Sequence, residues 1–237
     1  MDKLSSNQLE QYQRTISLKE IGEEGQLKLL NSSVLVVGAG GLGSTALNSL
    51  AALGIGHIGI VDYDVVNASN LPRQLLYGVS DISKNKAKTA KRILKKKNLD
   101  VDIKTYPYIL NKENAKRIIK KYDIVLDCTD NFETKFLIND VCNALNVPFV
   151  CAGVMGYQGQ IMTIIPHQTK DFKSLFSELP KSDPNDDKSI YPLAVSIISS
   201  IATSEVVKYL LGIGDLLTNS LLVVDTLKTS FKIIKIK

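Results

Sequence analysis

The sequence has few cysteines and lacks any long apolar run. Its three cysteines, Cys128, Cys142 and Cys151, lie in apolar surroundings and form no C-x-x-C pair, which predicts buried free thiols in a reducing compartment. No segment approaches the roughly 18 apolar residues of a membrane span. The N-terminal stretch MDKLSSNQLEQYQRT also lacks the apolar region of a signal peptide. These absences predict a soluble cytoplasmic protein with no membrane partner.

The excess of positive charge is small and local. The net charge is +5, and much of it lies in KNKAKTAKRILKKKN, residues 84–98, a stretch typical of a helix with a solvated basic face. Basic residues interleaved with exposed aromatics are lacking, as are known nucleic-acid-reading motifs, so we expect no nucleic-acid partner. One lysine in the run remains a candidate for binding phosphate. With 44% hydrophobic residues, the chain can bury a sizeable core.

Strand and helix patterns alternate along the first two thirds of the chain. The stretches SVLVV, HIGIVDYD, VDIKTYPY, DIVLDCTD and PFVCAG are typical of strands, and helical patterns separate them. This alternation predicts right-handed crossovers and an α/β, Rossmann-like, mostly parallel sheet with helices on both faces. The stretches GQIMTIIP, SLLVVD and SFKIIKIK then extend the sheet with antiparallel strands.

We therefore expect one domain over residues 1–237. Its parts are an N-terminal helical segment (1–30), a nucleotide-binding core (31–165), a polar crossing loop (166–190), and a C-terminal helix with strands (191–237). A loop as long as the third part is usually functional or disordered in a compact domain.

The first predicted strand runs into a glycine-rich turn, VLVVGAGGLGST. Gly38, Gly40 and Gly43 fit the pattern G-x-G-x-x-G, which brings backbone N–H groups close to a phosphate at a helix N-terminus. Asp62 follows the second strand about 20 residues later, where a carboxylate accepts ribose hydroxyls. Both features suit a dinucleotide as well as ATP.

Cationic side chains near this turn favour a triphosphate. The stretch NASNLPRQ places Asn70, Arg73 and Gln74 in one loop, and Lys86 follows. A dinucleotide needs little positive charge here, whereas an arginine with a lysine suits the phosphates of ATP. After the fourth strand, DCTDN offers Asp127 and Asp130 as hard oxygen ligands for Mg²⁺.

The ordered motifs resemble the ThiF/MoeB/HesA family, the bacterial and archaeal relatives of ubiquitin-activating enzymes. The matching pieces are GEEGQLKL, VLVVGAGGLGS, LAALGIGHIGIVDYD, SNLPRQLLY, KAKTAKRIL, YDIVLDCTDNFETKFLIND and GYQGQ. The resemblance implies an adenylyltransferase that is a homodimer and joins AMP from ATP to a substrate carboxylate with the help of Mg²⁺.

The resemblance also implies roles for individual residues. It makes Asp130 the magnesium ligand and has Arg14, in QYQRT, reach the triphosphate of the partner subunit. This chain departs from the family's usual motif R-Y-x-R-Q, because Gln11 stands in place of the first arginine and Thr15 in place of the glutamine. The implied catalytic residues are Arg14, Arg73, Lys86 and Asp130; the implied nucleotide-binding residues are Gly38, Gly40, Gly41, Gly43, Asp62, Asp64, Asn70, Gln74 and Asn131.

Two features of many relatives are missing. Asp171 and Ser174 stand where the first zinc-binding C-x-x-C pair is expected, and the chain ends in KIIKIK without a second pair. The crossing loop SELPKSDPNDDKSIYPL holds no cysteine that could accept the acyl group. We therefore expect no zinc, a reaction that stops at the acyl-adenylate, and an external nucleophile or acceptor protein.

The substrate stays open between two classes. The missing cysteines favour a small-molecule carboxylate in cofactor biosynthesis, such as guanylylpyridinol, and the alternative is the C-terminal glycine of a ubiquitin-like sulfur carrier. Two other classes of protein share the glycine turn. An NAD(P)-dependent oxidoreductase would leave Arg73, Lys86 and Asp130 without a role, and a non-catalytic nucleotide-binding module would have lost its chemistry.

Overall fold

A computed structural model describes residues 3–175 and 189–236 of the chain. The helices and strands follow the chain in this order: α1 (Ser6–Gln11), α2 (Gln13–Ile16), α3 (Gly22–Leu30), β1 (Ser33–Val37), α4 (Gly41–Ala52), β2 (His57–Val61), α5 (Lys86–Lys97), β3 (Asp102–Tyr106), α6 (Ala115–Ile119), β4 (Ile124–Asp127), α7 (Phe132–Leu145), β5 (Phe149–Met155), β6 (Gln158–Ile164), α8 (Pro192–Leu211), β7 (Ser220–Asp225) and β8 (Ser230–Lys235).

The eight strands of the described residues form one sheet in the order β3-β2-β1-β4-β5-β6-β7-β8. Strands β1 to β5 pair in parallel, and β6, β7 and β8 each pair antiparallel to the strand before them. The predicted Rossmann-like α/β fold with its antiparallel extension is confirmed. The stretch NKENAKRIIKKY before β4 has a helical pattern over its whole length, but α6 covers only Ala115–Ile119.

The parallel strands are covered on both faces, as their continuous apolar runs require. In β1, Val34 and Val36 pack in the cluster that includes residues of α4, α5 and α8. Leu35 and Val37 point to the other face, where α6 and α7 contribute. Packing on both faces fixes the position of each strand end. The turns that follow these strands are therefore held in defined positions.

Helix α8 is long and apolar enough to cross a membrane by length and composition alone. In this fold it is a core helix, because it packs on α4 and on strands β5 and β6. The hydroxyl of Ser199 donates a hydrogen bond of 2.7 Å to the carbonyl oxygen of Leu42, which ties α8 to the first turn of α4.

The three cysteines are buried and unpaired, as the sequence predicted. Burial raises the pKa of each thiol above its usual value, to about 12 for Cys151. The thiols are therefore protonated at neutral pH and are poor nucleophiles.

The predicted crossing loop lies largely outside the described residues, which omit positions 176–188. At its start, the Asp171 carboxylate accepts hydrogen bonds from the backbone N–H and the hydroxyl of Ser174, at 3.0 and 2.9 Å. The two positions where a C-x-x-C pair was sought thus form a hydrogen-bonded turn.

Candidate nucleotide and metal site

The turn between β1 and α4 can be built only with glycine at two positions. Gly38 has φ +91°, and a Cβ there would lie 2.8 Å from the carbonyl oxygen of Cys128. A Cβ on Gly43 would lie 1.8 Å from the carbonyl oxygen of Gly38. Helix α4 begins at Gly41 directly beyond this turn, so its first N–H groups face the carboxyl edge of the sheet. Such a helix N-terminus binds anions.

Gly41 has a packing role in the structure. A Cβ at this position would lie 2.9 Å from Cγ1 of Val195 in α8 and 3.7 Å from Cγ of Arg73. The absent side chain therefore lets α8 and Arg73 approach the start of α4. This contact places the Arg73 stem beside the helix N-terminus.

The carboxylate of Asp62 holds the glycine turn in place. One oxygen accepts a hydrogen bond of 2.7 Å from the N–H of Ala39, and the other accepts one of 2.8 Å from the N–H of Asp64. Burial raises the pKa of Asp62, while the Ala39 hydrogen bond and the charge of Lys86 oppose that rise. Each carboxylate oxygen keeps a second acceptor site, so Asp62 can still receive ribose hydroxyls.

Lys86 is brought close to the same turn. It begins α5 and is 5% exposed, and its Nζ lies 3.1 Å from a carboxylate oxygen of Asp64. Arg73 is half-buried and donates a hydrogen bond of 2.9 Å to the carbonyl oxygen of Ser69. Asp62 and Asp64 compensate the nearby positive charge in this structure. A bound polyphosphate could take over that compensation.

Gln74 and Asn70 complete this side of the site. Gln74 is 3% exposed, and its Nε2 lies 3.7 Å from the position of a Cβ on Gly40. Its Oε1 finds no hydrogen-bond partner among residues 3–175 and 189–236. Asn70 is buried, and its side-chain oxygen accepts a hydrogen bond of 3.2 Å from the N–H of Asn67. Asn70 therefore shapes the loop that carries Arg73 and Gln74.

Of the two carboxylates in DCTD, only one is available to a metal. Asp127 is fully buried: one oxygen accepts from the N–H and hydroxyl of Thr129, at 2.9 and 2.7 Å, and the other lies 3.2 Å from Nζ of Lys135. The suggestion that Asp127 faces the metal is wrong, because burial and the ion pair occupy its carboxylate. Asp130 is exposed and forms no ion pair within the part of the chain that the structure describes.

The backbone next to Asp130 is fixed by the cap of α7. Asn131 caps α7, and its side-chain oxygen accepts a hydrogen bond of 2.9 Å from the N–H of Thr134. Groups of three or more metal-binding side chains do not occur among the described residues. A single free carboxylate fits Mg²⁺ bound mainly through nucleotide phosphates, which is the usual mode for this ion.

Arg14 is not brought to this site within one chain. It is exposed on α2, next to a packed Tyr12 whose ring lies against Gly54 and whose hydroxyl accepts a hydrogen bond of 2.8 Å from Asn98. Gly54 follows the end of α4 that is opposite the glycine turn. The 12 residues of α4 span about 18 Å, so α2 packs near the far end of this helix.

Two residues that were not predicted from the sequence form hydrogen bonds with the segments that surround the site. The hydroxyl of Tyr77 lies 2.8 Å from the carbonyl oxygen of Ala39 and 3.4 Å from that of Lys86. Lys135 joins α7 to β4 through Asp127 and to β5 through the carbonyl oxygen of Ala152, at 2.8 Å. Neither residue stands in a spacing that predicts a role, because both act through the fold.

The comparison with protein families agrees with this geometry. A profile described as the ThiF family matches residues 12–237. The chain belongs to the ThiF family. This assignment confirms the resemblance on which the residue roles were based.

Individual relatives extend the family assignment. Over 99% of its length the chain is 38% identical to adenylyltransferase and sulfurtransferase MOCS3 of Xenopus laevis, of which it covers 52%. It is 36% identical to a sulfur carrier protein adenylyltransferase of Thermus thermophilus, with 96% of this chain and 87% of the relative aligned. The chain thus spans about half the length of MOCS3 but most of the length of the bacterial relative.

Solved structures share the fold of this ThiF-family chain. E. coli MccB with MccA-N7isoASN superposes with a TM-score of 0.86 at 21% identity, over 98% of this chain and 72% of MccB. PaaA gives a TM-score of 0.84 at 22% identity, over 100% of this chain and 76% of PaaA. At these identities the likeness concerns the fold alone.

Proposed function

We propose that this ThiF-family chain uses ATP and Mg²⁺ to adenylylate a substrate carboxylate, with release of pyrophosphate. The observation that carries the proposal is the gathering of Arg73, Lys86 and the free carboxylate of Asp130 around one glycine turn. Two cations beside a helix N-terminus are more than a dinucleotide needs, and they suit a triphosphate. The names of the relatives, adenylyltransferases, support the same reaction.

The proposed step is a displacement at the α-phosphorus of ATP. A carboxylate oxygen forms the new bond to phosphorus, the bond to the oxygen bridging the α- and β-phosphates breaks, and its electron pair leaves with pyrophosphate. Arg73 and Lys86 stabilise the negative charge that grows on the departing group. Asp130 would hold Mg²⁺, which neutralises phosphate charge when bound, and Asp62 would hold the ribose.

A second copy of the chain would complete the site. Arg14 belongs to the residues implied by the family resemblance, yet within one chain its helix packs near the far end of α4. A homodimer could bring the Arg14 of one subunit to the phosphates bound by the other. We include this arrangement in the proposal.

For the substrate, we favour the C-terminal carboxylate of a ubiquitin-like sulfur carrier. The name of the Thermus thermophilus relative, which aligns over most of both chains, supports this choice. It reverses the preference that the missing cysteines suggested. A small-molecule carboxylate such as guanylylpyridinol stays the second candidate, because Asp171 and Ser174 replace the expected C-x-x-C pair.

Intact-mass spectrometry separates the two candidates. The protein is incubated with ATP and Mg²⁺ and either a ubiquitin-like carrier ending in Gly-Gly or a panel of small carboxylic acids. We expect the carrier to gain the mass of AMP. An adduct formed only on a small acid would establish the second candidate, and the absence of any adduct, with ATP still bound, would identify a non-catalytic nucleotide-binding module.

A further inference from the structure

A small apolar pocket opens on the far side of the Asp130 loop from the phosphate-binding cations. Its volume is about 100 Å³. Neighbouring strands build its floor, where Cys151 of β5 lies opposite Met162 of β6, next to Leu221 of β7. Two residues closer to the carboxyl end of β5, Gly153 lies opposite Gln160, and both line the pocket. The other lining residues are Phe132, Lys135, Ala152, Phe172 and Leu175.

The strand order places this pocket relative to the nucleotide site. Strands β2, β1, β4 and β5 lie side by side, with neighbours about 4.8 Å apart. Asp62 follows β2, the glycine turn follows β1 and Asp130 follows β4, so the nucleotide and metal groups succeed one another along this edge. Gly153 in β5 is next in the row, and Phe132 follows Asp130 by two residues.

We propose that this pocket holds the group attached to the reacting carboxylate, and that Gly153 and Gln160 limit its size. The inference rests on the proposed adenylylation. In a displacement at phosphorus, the attacking and leaving oxygens lie roughly in line on opposite sides. Pyrophosphate leaves toward Arg73 and Lys86, on the β1 and β2 side. The carboxylate therefore enters from the β4 and β5 side, where the pocket lies.

The lining selects a compact, uncharged group. At about 100 Å³, the pocket admits a compact group. Among the described residues, Lys135 is the one charged residue that lines the pocket, and its Nζ already contacts Asp127 and the carbonyl oxygen of Ala152. The exposed amide of Gln160 can both donate to and accept from a peptide group. These properties fit an N-acylated glycine and exclude large or charged side chains.

Gly153 offers a way to fill the pocket without disturbing the fold. A Cβ at this position meets no atom within 4 Å, and its φ lies outside the left-handed region. Cys151 and Gly153 lie two residues apart on β5, so a side chain at 153 points to the same face as the Cys151 thiol. Gly153→Val should therefore narrow the pocket while leaving the protein stable.

A methionine methyl group on the pocket floor provides a direct readout. The chain has three methionines, of which Met162 lies in the pocket and Met155 is 69% exposed. The protein is labelled with ¹³C-methyl methionine and titrated with a non-hydrolysable adenylate analogue, 5′-O-(N-acetylglycylsulfamoyl)adenosine. We expect the Met162 methyl signal to shift at saturation while the Met155 signal stays in place.

The Gly153→Val variant completes the test. We expect the affinity for the analogue to fall by about tenfold or more, as for one excess methylene group in a fitted pocket, with ATP affinity unchanged. Gly78→Val is the matched control, because Gly78 also has open space at its Cβ and an extended φ of −119°. Its affinity for the analogue should equal that of the wild type.

The outcomes separate this inference from the proposed reaction. If the analogue binds without moving the Met162 signal, or binds Gly153→Val as tightly as the wild type, the pocket assignment is wrong even where adenylylation occurs. The same holds if the analogue does not bind. If the signal shifts and Gly153→Val binds the analogue weakly, the pocket assignment is supported. A failure to turn over any carboxylate would then contradict only the proposed reaction.

Discussion

Asp127 ends β4, and Asp130 lies three residues later in the loop that follows, yet the two carboxylates have opposite surroundings. The Asp127 carboxylate is fully buried and contacts Thr129 and Lys135, whereas Asp130 is exposed. Asp127 thus shapes the turn and anchors α7, which leaves Asp130 as the group able to meet a metal. A sequence pattern alone could place both carboxylates at the strand end. It could not tell them apart, since burial depends on α7 and β5.

Replacing Asp127 with asparagine should strongly destabilise the protein. Lys135, whose pKa the Asp127 charge raises, would remain charged in a buried site without its counter-ion. Loss of one partner of a buried ion pair costs about 3–5 kcal/mol. Urea unfolding measures the change, with Asp140→Asn as the control, since Asp140 pairs with Lys173 at the surface. A loss of under about 1 kcal/mol for Asp127→Asn would show that the ion pair does not hold this loop.

At the scale of elements, Tyr77 joins the glycine turn to the start of α5. Its buried hydroxyl lies within hydrogen-bond distance of the carbonyl oxygens of Ala39 and Lys86. The N–H of Ala39 donates a hydrogen bond to Asp62. Both backbone polar groups of Ala39 are therefore hydrogen-bonded, the N–H to Asp62 and the carbonyl oxygen to Tyr77. This contact fixes the distance between the turn and the lysine that are proposed to share one triphosphate.

Tyr77→Phe should weaken ATP binding more than it weakens the fold. The ring stays in place, and loss of one hydrogen bond costs about 1 kcal/mol of stability. We expect KM for ATP to rise severalfold, with a smaller change in kcat. Tyr122→Phe is the control, because its hydroxyl is also buried and bonded, to Tyr106 at 3.0 Å, away from the turn. Equal kinetic effects of the two variants would contradict a positioning role for Tyr77.

The arrangement of the elements was largely predictable, because alternating apolar strands and amphipathic helices leave few topologies. The glycine turn, Asp62, Arg73 and Lys86 could be placed together, since each follows the end of a parallel strand or begins the next helix. The contacts of Tyr77 and Lys135 could not be predicted. Each joins elements that are distant in sequence, and their geometry exists only in the folded chain.

At the scale of the whole molecule, the proposed site includes Arg14 of a second subunit. This assignment stays a prediction, and subunit mixing tests it. Arg14→Ala and Lys86→Met are each expected to be inactive as pure proteins. Mixed dimers would contain one complete site, since the Lys86→Met subunit supplies Arg14 to the intact phosphate site of its partner.

Random mixing of equal amounts should restore about a quarter of wild-type activity, because half of the dimers are mixed and each has one working site. The measurement is adenylylation activity after the two variants have been unfolded and refolded together. Mixing without refolding is the control. Refolded mixtures no more active than either variant alone would contradict a shared site and place Arg14 outside the reaction.

Pyrophosphate exchange tests the central claim most directly. Labelled pyrophosphate should enter ATP only when the protein, Mg²⁺ and a carboxylate substrate are all present, because the proposed step is reversible. Asp130→Asn should lower this exchange by at least about a hundredfold, corresponding to about 2.7 kcal/mol of lost transition-state stabilisation. Glu113→Gln, which changes another exposed acid, should leave it unchanged. Exchange that persists in Asp130→Asn at the wild-type rate would contradict the account.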